Sequence, residues 1–428
     1  MTRPTTSSRI AFSYPGFTRF MTARFLNTVA AEMQSVAVGW QIYNITHRAL
    51  DLGLVGLAQF LPSFCLFLVA GQTADRYPRR RILQICYLGF ALCSVLFLLL
   101  TFSGVHNPLP IYAVLLLNGT MRAFNGPASS SIIPSLVPPE DFPNAVAWGS
   151  SIFQTATIAG PVLGGLIYGF ANSPVAVYAL AGLATVSAFA FLSLVQVPRH
   201  SNRSAAASTG MLFEGIRYIW RNRLLLGAIS LDLFAVLLGG AVALLPVFAR
   251  DILHGGAIAL GILRSAPGLG AVLMGVLVAH MPIRKRAGRS MLVCVALYGV
   301  LTIVFGLSRN LLLSTFALLL AGAVDTVSVI VRHTLIQLAT PDEMRGRVSA
   351  VNMIFIGASN ELGQFESGIT AHWFGTVPAV VLGGLGTLAV VGLWTVFFPS
   401  IRRLDRLEAI EPIELVEEPA ARNAGILE

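Results

Sequence analysis

The sequence predicts an all-α integral membrane protein with twelve transmembrane helices, and its composition is the first reason. Hydrophobic residues make up 55% of the 428 residues and charged residues only 11%, and the mean hydropathy is +0.74. Soluble globular domains carry about 25% charged residues. A chain of this length with so few charges cannot cover a water-facing surface, so lipid is its expected solvent.

The second reason is that the apolar sequence divides into segments of membrane length. A transmembrane helix needs about 20 mostly apolar residues, and charged clusters or turns separate twelve such segments. The predicted spans are 17–44, 51–74, 82–103, 109–134, 143–171, 173–197, 224–250, 257–281, 289–308, 310–338, 348–375 and 377–399.

The third reason is the distribution of cations. Of the 29 lysines and arginines, 21 lie at the two termini or in loops after even-numbered spans, 3 lie in loops after odd-numbered spans, and 5 lie within spans. Cations of short loops stay cytoplasmic, so both termini are expected in the cytoplasm. The net charge of +9 thus reflects topology, and no nucleic acid is expected as a partner.

The longest internal loop divides the spans into two sets of six. It is polar and rich in small residues, and it ends in a predicted amphipathic helix, 211–221, with Phe213, Ile216, Ile219 and Trp220 against lipid headgroups. The predicted organisation begins with a cytoplasmic N-terminal segment (1–16) and a first half (17–197). An interdomain loop (198–223), a second half (224–399) and an acidic cytoplasmic tail (400–428) follow.

The two halves repeat each other. The segment PEDFPNAV at 139–146 falls 202 residues before PDEMRGRV at 341–348, and both are expected between the fourth and fifth spans of a half. Gly71 falls 204 residues before Gly275. Two halves in the same orientation are typical of a parallel transporter repeat.

The turn between the second and third spans carries a recognisable motif. Its pattern, G-x-x-x-D-R-x-x-R-R, resembles the corresponding loop of major facilitator superfamily transporters, with Pro78 where glycine is usual. The resemblance implies the superfamily fold and a gating role in which the aspartate locks the two halves in the outward-facing state. The alternative is that the arginines only hold topology. The matching residues are Gly71, Asp75, Arg76, Arg79 and Arg80.

Two further motifs lie in the fourth and fifth spans. The string RAFNGPA, which begins at Arg122, resembles the superfamily's R-x-x-Q-G-x-G pattern, with Asn125 in place of glutamine. The resemblance implies that Arg122 takes part in proton coupling or holds a nearby carboxylate; the alternative is that it snorkels to the interface. The second motif resembles the G-P-x-x-G-G core of proton-driven exporters and favours export, although small-residue helix packing also explains it. Its residues are Gly160, Pro161, Gly164 and Gly165.

Carboxylates within spans are expected to face a cavity or a cation, because they are costly in lipid. They can bind and release a proton during a cycle, with Arg122 and Arg332 as possible counter-charges, or form static ion pairs. Glu361 and Glu366 are five residues apart, so their side chains do not lie close together on one face of a helix. The candidates are Glu32, Asp232, Asp325, Glu361 and Glu366.

The string SNELGQFESG at 359–368, after RGRVSAVN, resembles one branch of the superfamily, the enterobactin-exporter-like and macrolide-efflux-like transmembrane secretion effectors. Polar and aromatic residues of the spans are candidates for substrate contact, with ordinary packing as the alternative. They are Asn27, Gln34, Trp40, Phe124 and Phe234.

The resemblance implies a secondary active transporter that works by alternating access as a monomer in the cytoplasmic (inner) membrane of a prokaryote. It favours export of an amphiphilic drug, macrolide or siderophore, driven by a proton gradient, with the small-molecule substrate, protons and the lipid bilayer as partners. No cofactor is expected: the chain has no Walker loop and no Cys/His spacing of a metal site. An importer, a lysophospholipid flippase, a membrane enzyme and a passive channel remain as alternatives.

Overall fold

The computed structural model describes residues 9–196, 209–281 and 286–405, without the side chains of Leu68, Asp75 and residues 209–212. Helices make up nearly all of this part of the chain, and no strand occurs in it. The helices are α1 Pro15–Thr46, α2 Ala49–Arg76, α3 Arg79–Phe102, α4 Leu109–Ile132, α5 Phe142–Ala171, α6 Pro174–Ser193, α7 Thr209–Arg221, α8 Arg223–Gly239, α9 Leu245–Val247, α10 Gly256–His280, α11 Ala287–Leu307, α12 Leu311–Ala339, α13 Asp342–Phe374, α14 Thr376–Phe397 and α15 Pro399–Arg403.

The twelve predicted spans correspond to α1–α6, the seventh span from α8 to Ile252, and α10–α14. Within the described residues, nine of these are both long and apolar enough to cross a membrane. The other three, α1, α4 and α13, contain 32, 24 and 33 residues, which is ample length at 1.5 Å per residue. They are more polar than the rest, and the site described below explains why.

The seventh span is not the continuous helix that the sequence predicted over 224–250. Regular helix ends at Gly239, a 3-10 turn occupies Ala241–Leu244, and a π-helical turn follows at Phe248–Ile252. At the break, the Ser367 hydroxyl of α13 donates to the Gly240 carbonyl at 2.6 Å. A buried backbone acceptor in a membrane needs such a partner.

The predicted interdomain helix is present as α7, but the prediction of its lipid-facing residues was half wrong. Phe213 and Trp220 are exposed, whereas Ile219 is buried and Ile216 packs in the core of the second half. Tyr218 donates a 2.9 Å hydrogen bond to the Ala339 carbonyl at the end of α12. The helix therefore lies on the second half with two of its predicted lipid anchors turned inward.

The helices pack as two groups of six with equivalent neighbours. In the first group α1 packs on α5 and α6, α2 on α4, and α3 on α4 and α6; in the second, the seventh span packs on α13 and α14, α10 on α12, and α11 on α12 and α14. The PEDFPNAV and PDEMRGRV segments precede α5 and α13, the fifth helix of each group. The groups meet mainly through α2 with α13 and α5 with α10.

Close contacts between the two groups occur near one side of the molecule. We call the side where α1 begins the terminal face and the side where α1 ends the far face. Near the far face, a Cβ on Gly53 of α2 would lie 3.0 Å from Cα of Gly368 on α13. Near the terminal face, Cβ atoms on Gly71 of α2 and Gly346 of α13 would meet nothing within 4 Å. The glycine contacts between these two helices thus lie near the far face.

Candidate functional site

A cavity of about 380 Å³ lies between the two groups of helices. Its wall includes α1 to α5, the broken part of the seventh span, α10 and α13, so both halves contribute to it. Most of the polar residues that line the cavity belong to α1, α4 and α13, which accounts for the lower hydropathy of these three helices. The polar and charged lining residues are Asn27, Thr28, Glu32, Gln34, Ser35, Gln59, Asn118, Arg122, Asn125, Arg264, Glu361 and Gln364.

The first ion pair of the cavity joins the two halves through Arg122 of α4. One guanidinium nitrogen, Nη2, lies 3.3 Å from Oε1 of Glu361 on α13, and the other, Nη1, donates to Oε1 of Gln59 on α2 at 2.5 Å. The second carboxylate oxygen of Glu361 accepts from Gln364 Nε2 at 3.2 Å. The Arg122 side chain is 48% exposed and that of Glu361 is 17% exposed, so the cation is the more open partner.

The second ion pair also crosses between the halves, through Glu32 of α1 and Arg264 of α10. Arg264 Nε lies 3.9 Å from a Glu32 carboxylate oxygen, and its Nη2 donates to the Ser35 hydroxyl at 2.6 Å. Each half therefore contributes one arginine and one glutamate to the cavity. Two oppositely oriented pairs hold the halves together at mid-membrane depth.

Glycines of α5 allow the close helix contacts that bring these pairs within reach. A Cβ on Gly160 would lie 2.5 Å from the Glu32 Cβ, and one on Gly164 would lie 2.9 Å from the Met33 Cα. On the other side of α5, a Cβ on Gly165 would lie 2.7 Å from the Ala257 carbonyl oxygen. The helix is thus in near-backbone contact with α1 in its own half and with α10 in the other, as small residues permit.

A polar cluster closes the far face beyond the cavity. The Tyr43 hydroxyl at the end of α1 donates to the Asp251 carboxylate in the π-helical turn, and Arg250 donates to the Asn44 side-chain oxygen. The Arg250 guanidinium also lies over the Tyr43 ring, 5.9 Å from its centroid. Each of these contacts joins the first half to the second.

Comparison with known proteins establishes the family. Residues 6–425, nearly the whole chain, match the family described as transmembrane secretion effector. The chain belongs to the transmembrane secretion effector family. It is 27% identical over 381 residues to the enterobactin exporter EntS of Citrobacter koseri, with 88% of this chain and 86% of the relative covered. An EntS of Escherichia coli is 26% identical over the same coverage.

Solved structures with the same fold are major facilitator transporters. A bacterial homologue of the iron transporter ferroportin has a TM-score of 0.68 at 17% identity, covering 91% of this chain and 99% of its own. A bacterial homologue of the lysosomal transporter Spinster has a TM-score of 0.69 at 16% identity, covering 92% and 97%. This secretion effector is therefore a multi-pass membrane transporter with the twelve-helix major facilitator fold, and its relatives are transporters rather than enzymes.

The structure separates the predicted intramembrane carboxylates of this secretion effector into three groups. Glu32 and Glu361 line the cavity. Asp232 of α8 instead pairs with Arg332 of α12 inside the second half, with side chains 9% and 3% exposed. This buried pair lies outside the cavity lining and has the geometry of the ion pair that the sequence left open as the alternative.

Asp325 and Glu366 lie outside the cavity lining. Asp325 faces α11, where it lies close enough to Tyr298 and Cys294 to interact electrostatically with both. Glu366 accepts a 2.7 Å hydrogen bond from Thr370 one turn along α13. Glu361 lines the cavity and Glu366 does not, which agrees with their five-residue spacing, because that spacing turns the two side chains to different faces of the helix.

Of the predicted substrate residues, the two amides line the cavity and the three aromatics do not. Asn27 faces it, and so does Gln34, which donates to the Ser94 hydroxyl at 2.6 Å. Trp40 is buried against Tyr168, Phe124 packs in the core of the first half, and Phe234 packs on Trp394. The aromatic lining comes instead from Phe90, Phe97 and Phe153.

The motif between α2 and α3 is only partly described. The Asp75 side chain lies outside the described part of the structure, and Arg76 is exposed at the end of α2. Arg79 donates to the Ser131 carbonyl near the end of α4 at 2.6 Å, and Arg80 donates to the Ser193 carbonyl at the end of α6. Cations are favourable at helix C-termini, so these two arginines stabilise the terminal face of the first half.

Arg264 and the far-face cluster were not singled out from the sequence. Arg264 was visible as a cation inside an apolar span, which is the signal that also identified Arg122. Tyr43 and Asp251 are 208 residues apart, and no local pattern connects them.

Proposed function

We propose that this secretion effector exports an amphiphilic small molecule across the cytoplasmic membrane by alternating access, with the cavity between the halves as the substrate site. The observation that carries the proposal is a cavity lined by residues of both halves, with ion pairs that join them. A site of this kind at the interface of two repeats is typical of secondary transporters. The similarity to enterobactin exporters over 88% of the chain supports export of a siderophore or a molecule of similar size.

The distribution of arginines supports an orientation with both termini in the cytoplasm. In that orientation the terminal face is cytoplasmic. The close contacts between the halves lie at the far face and around the cavity, which supports an opening of the cavity to the cell interior. The contacts at the far face then close the outer side. In such an arrangement a substrate can bind from the cytoplasm, which is the side from which an exporter takes its substrate. We propose that the exporter works as a monomer.

We further propose that protons drive the cycle through the two cavity ion pairs. Protonation of Glu361 or Glu32 removes the charge that holds the opposite arginine, so the halves can separate at the centre and far face. In the opposite state, Asp75 at the end of α2 is proposed to lock the terminal face, as the resemblance of its loop implies. The proton gradient is the energy source, without a bound cofactor.

Transport by the purified protein in proteoliposomes tests this function. With an acidic vesicle interior, inside-out molecules are expected to accumulate enterobactin, and erythromycin serves as a macrolide probe. Nigericin, which collapses the pH gradient, should abolish the accumulation. Accumulation of neither probe would contradict export of these substrate classes, and accumulation that survives nigericin would contradict proton coupling.

A further inference from the structure

The helix between the two halves, α7, leaves one face exposed. Phe213 and Trp220 are 70% and 68% exposed, and Arg217 and Arg221 are exposed as well. At 3.6 residues per turn these four side chains occupy an arc of about 100°, with the two aromatic rings on one edge and the two guanidinium groups on the other. We call these four residues the outer face of α7. It combines apolar rings with positive charge.

The two arginines of the outer face have no carboxylate to neutralise them. Glu214 is the one acidic residue of α7, and it forms its ion pair with Arg347 of α13. Among the described residues, neither Arg217 nor Arg221 takes part in an ion pair. A complementary partner of this face therefore carries negative charge.

The opposite face of α7 shows where the helix lies relative to the membrane. A Cβ on Gly215 would lie 2.9 Å from the Arg347 carbonyl oxygen and 3.2 Å from the Val351 side chain. Val351 lies about 13 Å along α13 from its first residue, Asp342, at 1.5 Å per residue. The helix α7 thus lies beside α13 and not beyond its end.

The length of α13 places this contact near the membrane surface. The helix has 33 residues, which is about 50 Å at 1.5 Å per residue. The hydrocarbon core of a bilayer is only about 30 Å thick, so turns at the ends of α13 lie outside it. Because α7 packs against the first turns of α13, its outer face lies at the depth of the lipid headgroups.

Aromatic rings beside arginines at this depth are typical of a helix that lies in the membrane interface. Anionic lipids attract arginines near the membrane surface. An inorganic anion would neutralise Arg217 and Arg221 but would leave Phe213 and Trp220 exposed to water. A phospholipid supplies both a phosphate for the arginines and apolar surface for the rings.

We propose that the outer face of α7 binds anionic phospholipids of the leaflet at the terminal face. The phosphates lie on Arg217 and Arg221, and the rings of Phe213 and Trp220 lie at the boundary of the acyl chains. Through Glu214 and Gly215, α7 is attached to α13, the helix that carries Glu361. The proposal depends on neither the substrate nor the direction of transport.

Quenching of tryptophan fluorescence by brominated lipids tests the proposal. The full-length protein is reconstituted in phosphatidylcholine bilayers that contain the same small fraction of either brominated phosphatidylglycerol or brominated phosphatidylcholine. The contribution of Trp220 is the difference between the unmodified protein and Trp220→Phe. The lipid preference is the ratio of the two binding constants obtained from quenching. We expect phosphatidylglycerol to quench Trp220 more strongly, because this lipid is enriched at the outer face.

Substitution of the arginines makes the test specific. An arginine near an anionic membrane surface contributes about 1 kcal/mol, which corresponds to about fivefold in affinity. Arg217→Gln and Arg221→Gln should therefore each lower the preference for phosphatidylglycerol about fivefold, and the double variant should remove it. Lysine at both positions should keep most of the preference, because a lysine still binds phosphate as a point charge.

Arg81→Gln is the matched control. Arg81 is an exposed arginine near the start of α3, at the terminal face but in the first half, and the substitution changes the net charge by the same amount. The control should keep the full preference at Trp220. A loss as large as that of Arg217→Gln would show that general surface charge, and not the outer face, attracts the lipid, and would overturn the proposal.

Three further results would also overturn it. One is equal quenching of Trp220 by the two brominated lipids in the unmodified protein. Another is an unchanged preference when Arg217 and Arg221 are both replaced by glutamine. The third is the absence of quenching by either lipid, which would place the outer face of α7 in water or against another protein chain.

Discussion

The ion pair inside the second half and the ion pairs between the halves use the same residue types in opposite surroundings. Asp232 and Arg332 are 9% and 3% exposed and both belong to the second half. Arg122 and Glu361 are 48% and 17% exposed and belong to different halves. A pair between the halves would be made and broken if the halves move, so we expect position relative to the interface to separate a structural ion pair from a transport residue.

The energetics of the two kinds of pair differ accordingly. Removing one partner of a buried pair leaves an uncompensated charge and costs about 3–5 kcal/mol. Water that reaches a partly exposed pair screens it, so such a pair contributes less than a fully buried one. The cavity pairs are therefore expected to be weak enough to exchange, and the internal pair is expected to be a fixed part of the fold.

The largest effect is expected from breaking the internal pair. Asp232→Ala leaves Arg332 buried without its counter-charge and should destabilise the protein by about 3–5 kcal/mol, measured as a lower midpoint of thermal unfolding in detergent. The double variant Asp232→Leu with Arg332→Met should recover most of the loss. An unchanged unfolding midpoint together with lost transport would contradict this expectation and indicate that the pair takes part in the transport cycle.

The next largest effect is expected from filling the contact between α5 and α10. Gly165→Val places atoms against the Ala257 carbonyl and the Gly261 backbone, which costs the closed far face about 1–3 kcal/mol through overpacking. Spin labels on His106→Cys and Arg309→Cys, with the four native cysteines replaced, should move apart. Gly392→Val on α14, where a Cβ meets nothing within 4 Å, is the matched control. Equal label distances in both variants would contradict a close-packed far face.

Removing the charge of a cavity carboxylate is expected to affect transport and not stability. Glu361→Gln should make transport independent of the pH gradient and slow it about tenfold, which corresponds to about 1.4 kcal/mol, while unfolding changes by less than about 1 kcal/mol. Glu366→Gln, on the same helix and outside the cavity lining, is the control and should keep its response to the gradient. A large loss of stability in Glu361→Gln would show that the two kinds of ion pair do not differ as described.

The smallest effect is expected at the far-face cluster. Tyr43→Phe removes one hydrogen bond between the halves, to Asp251, and should favour opening of the far face by about 0.5–1.5 kcal/mol, seen as a longer-distance population of the same label pair. Tyr298→Phe removes a hydroxyl that contacts the Gly239 carbonyl at 3.4 Å within the second half and should leave the distances unchanged. A similar shift in both variants would remove the distinction between contacts within and between halves.

Much of the fold follows from local sequence. Membrane-spanning backbone must satisfy its own hydrogen bonds, so apolar segments of sufficient length form helices, and the predicted spans agree with the helices to within a few residues. The exception is the seventh span, whose composition is apolar throughout. Its break at Gly240 is stabilised by Ser367, 127 residues away, a partner that no local pattern reveals.

The candidate site was predictable only in part. The cost of a charge in lipid pointed to Glu32, Arg122 and Glu361, and all three line the cavity. The same argument applied equally to Asp232 and Asp325, which lie elsewhere. Charge in a span predicts that a residue avoids lipid, but it does not tell a water-filled cavity from a buried partner.

The sequence by itself determined the number of membrane spans, their grouping into two repeats and the expected side of the termini, because these depend on hydrophobicity, length and loop charge along the chain. The tertiary structure alone decided which carboxylate faces the cavity, which arginine it meets and where the halves touch. The physical reason is that each helix is rotated about its axis by its packing against helices far away in sequence. If a helix is rotated by a few tens of degrees, a side chain that faced the cavity becomes buried against another helix.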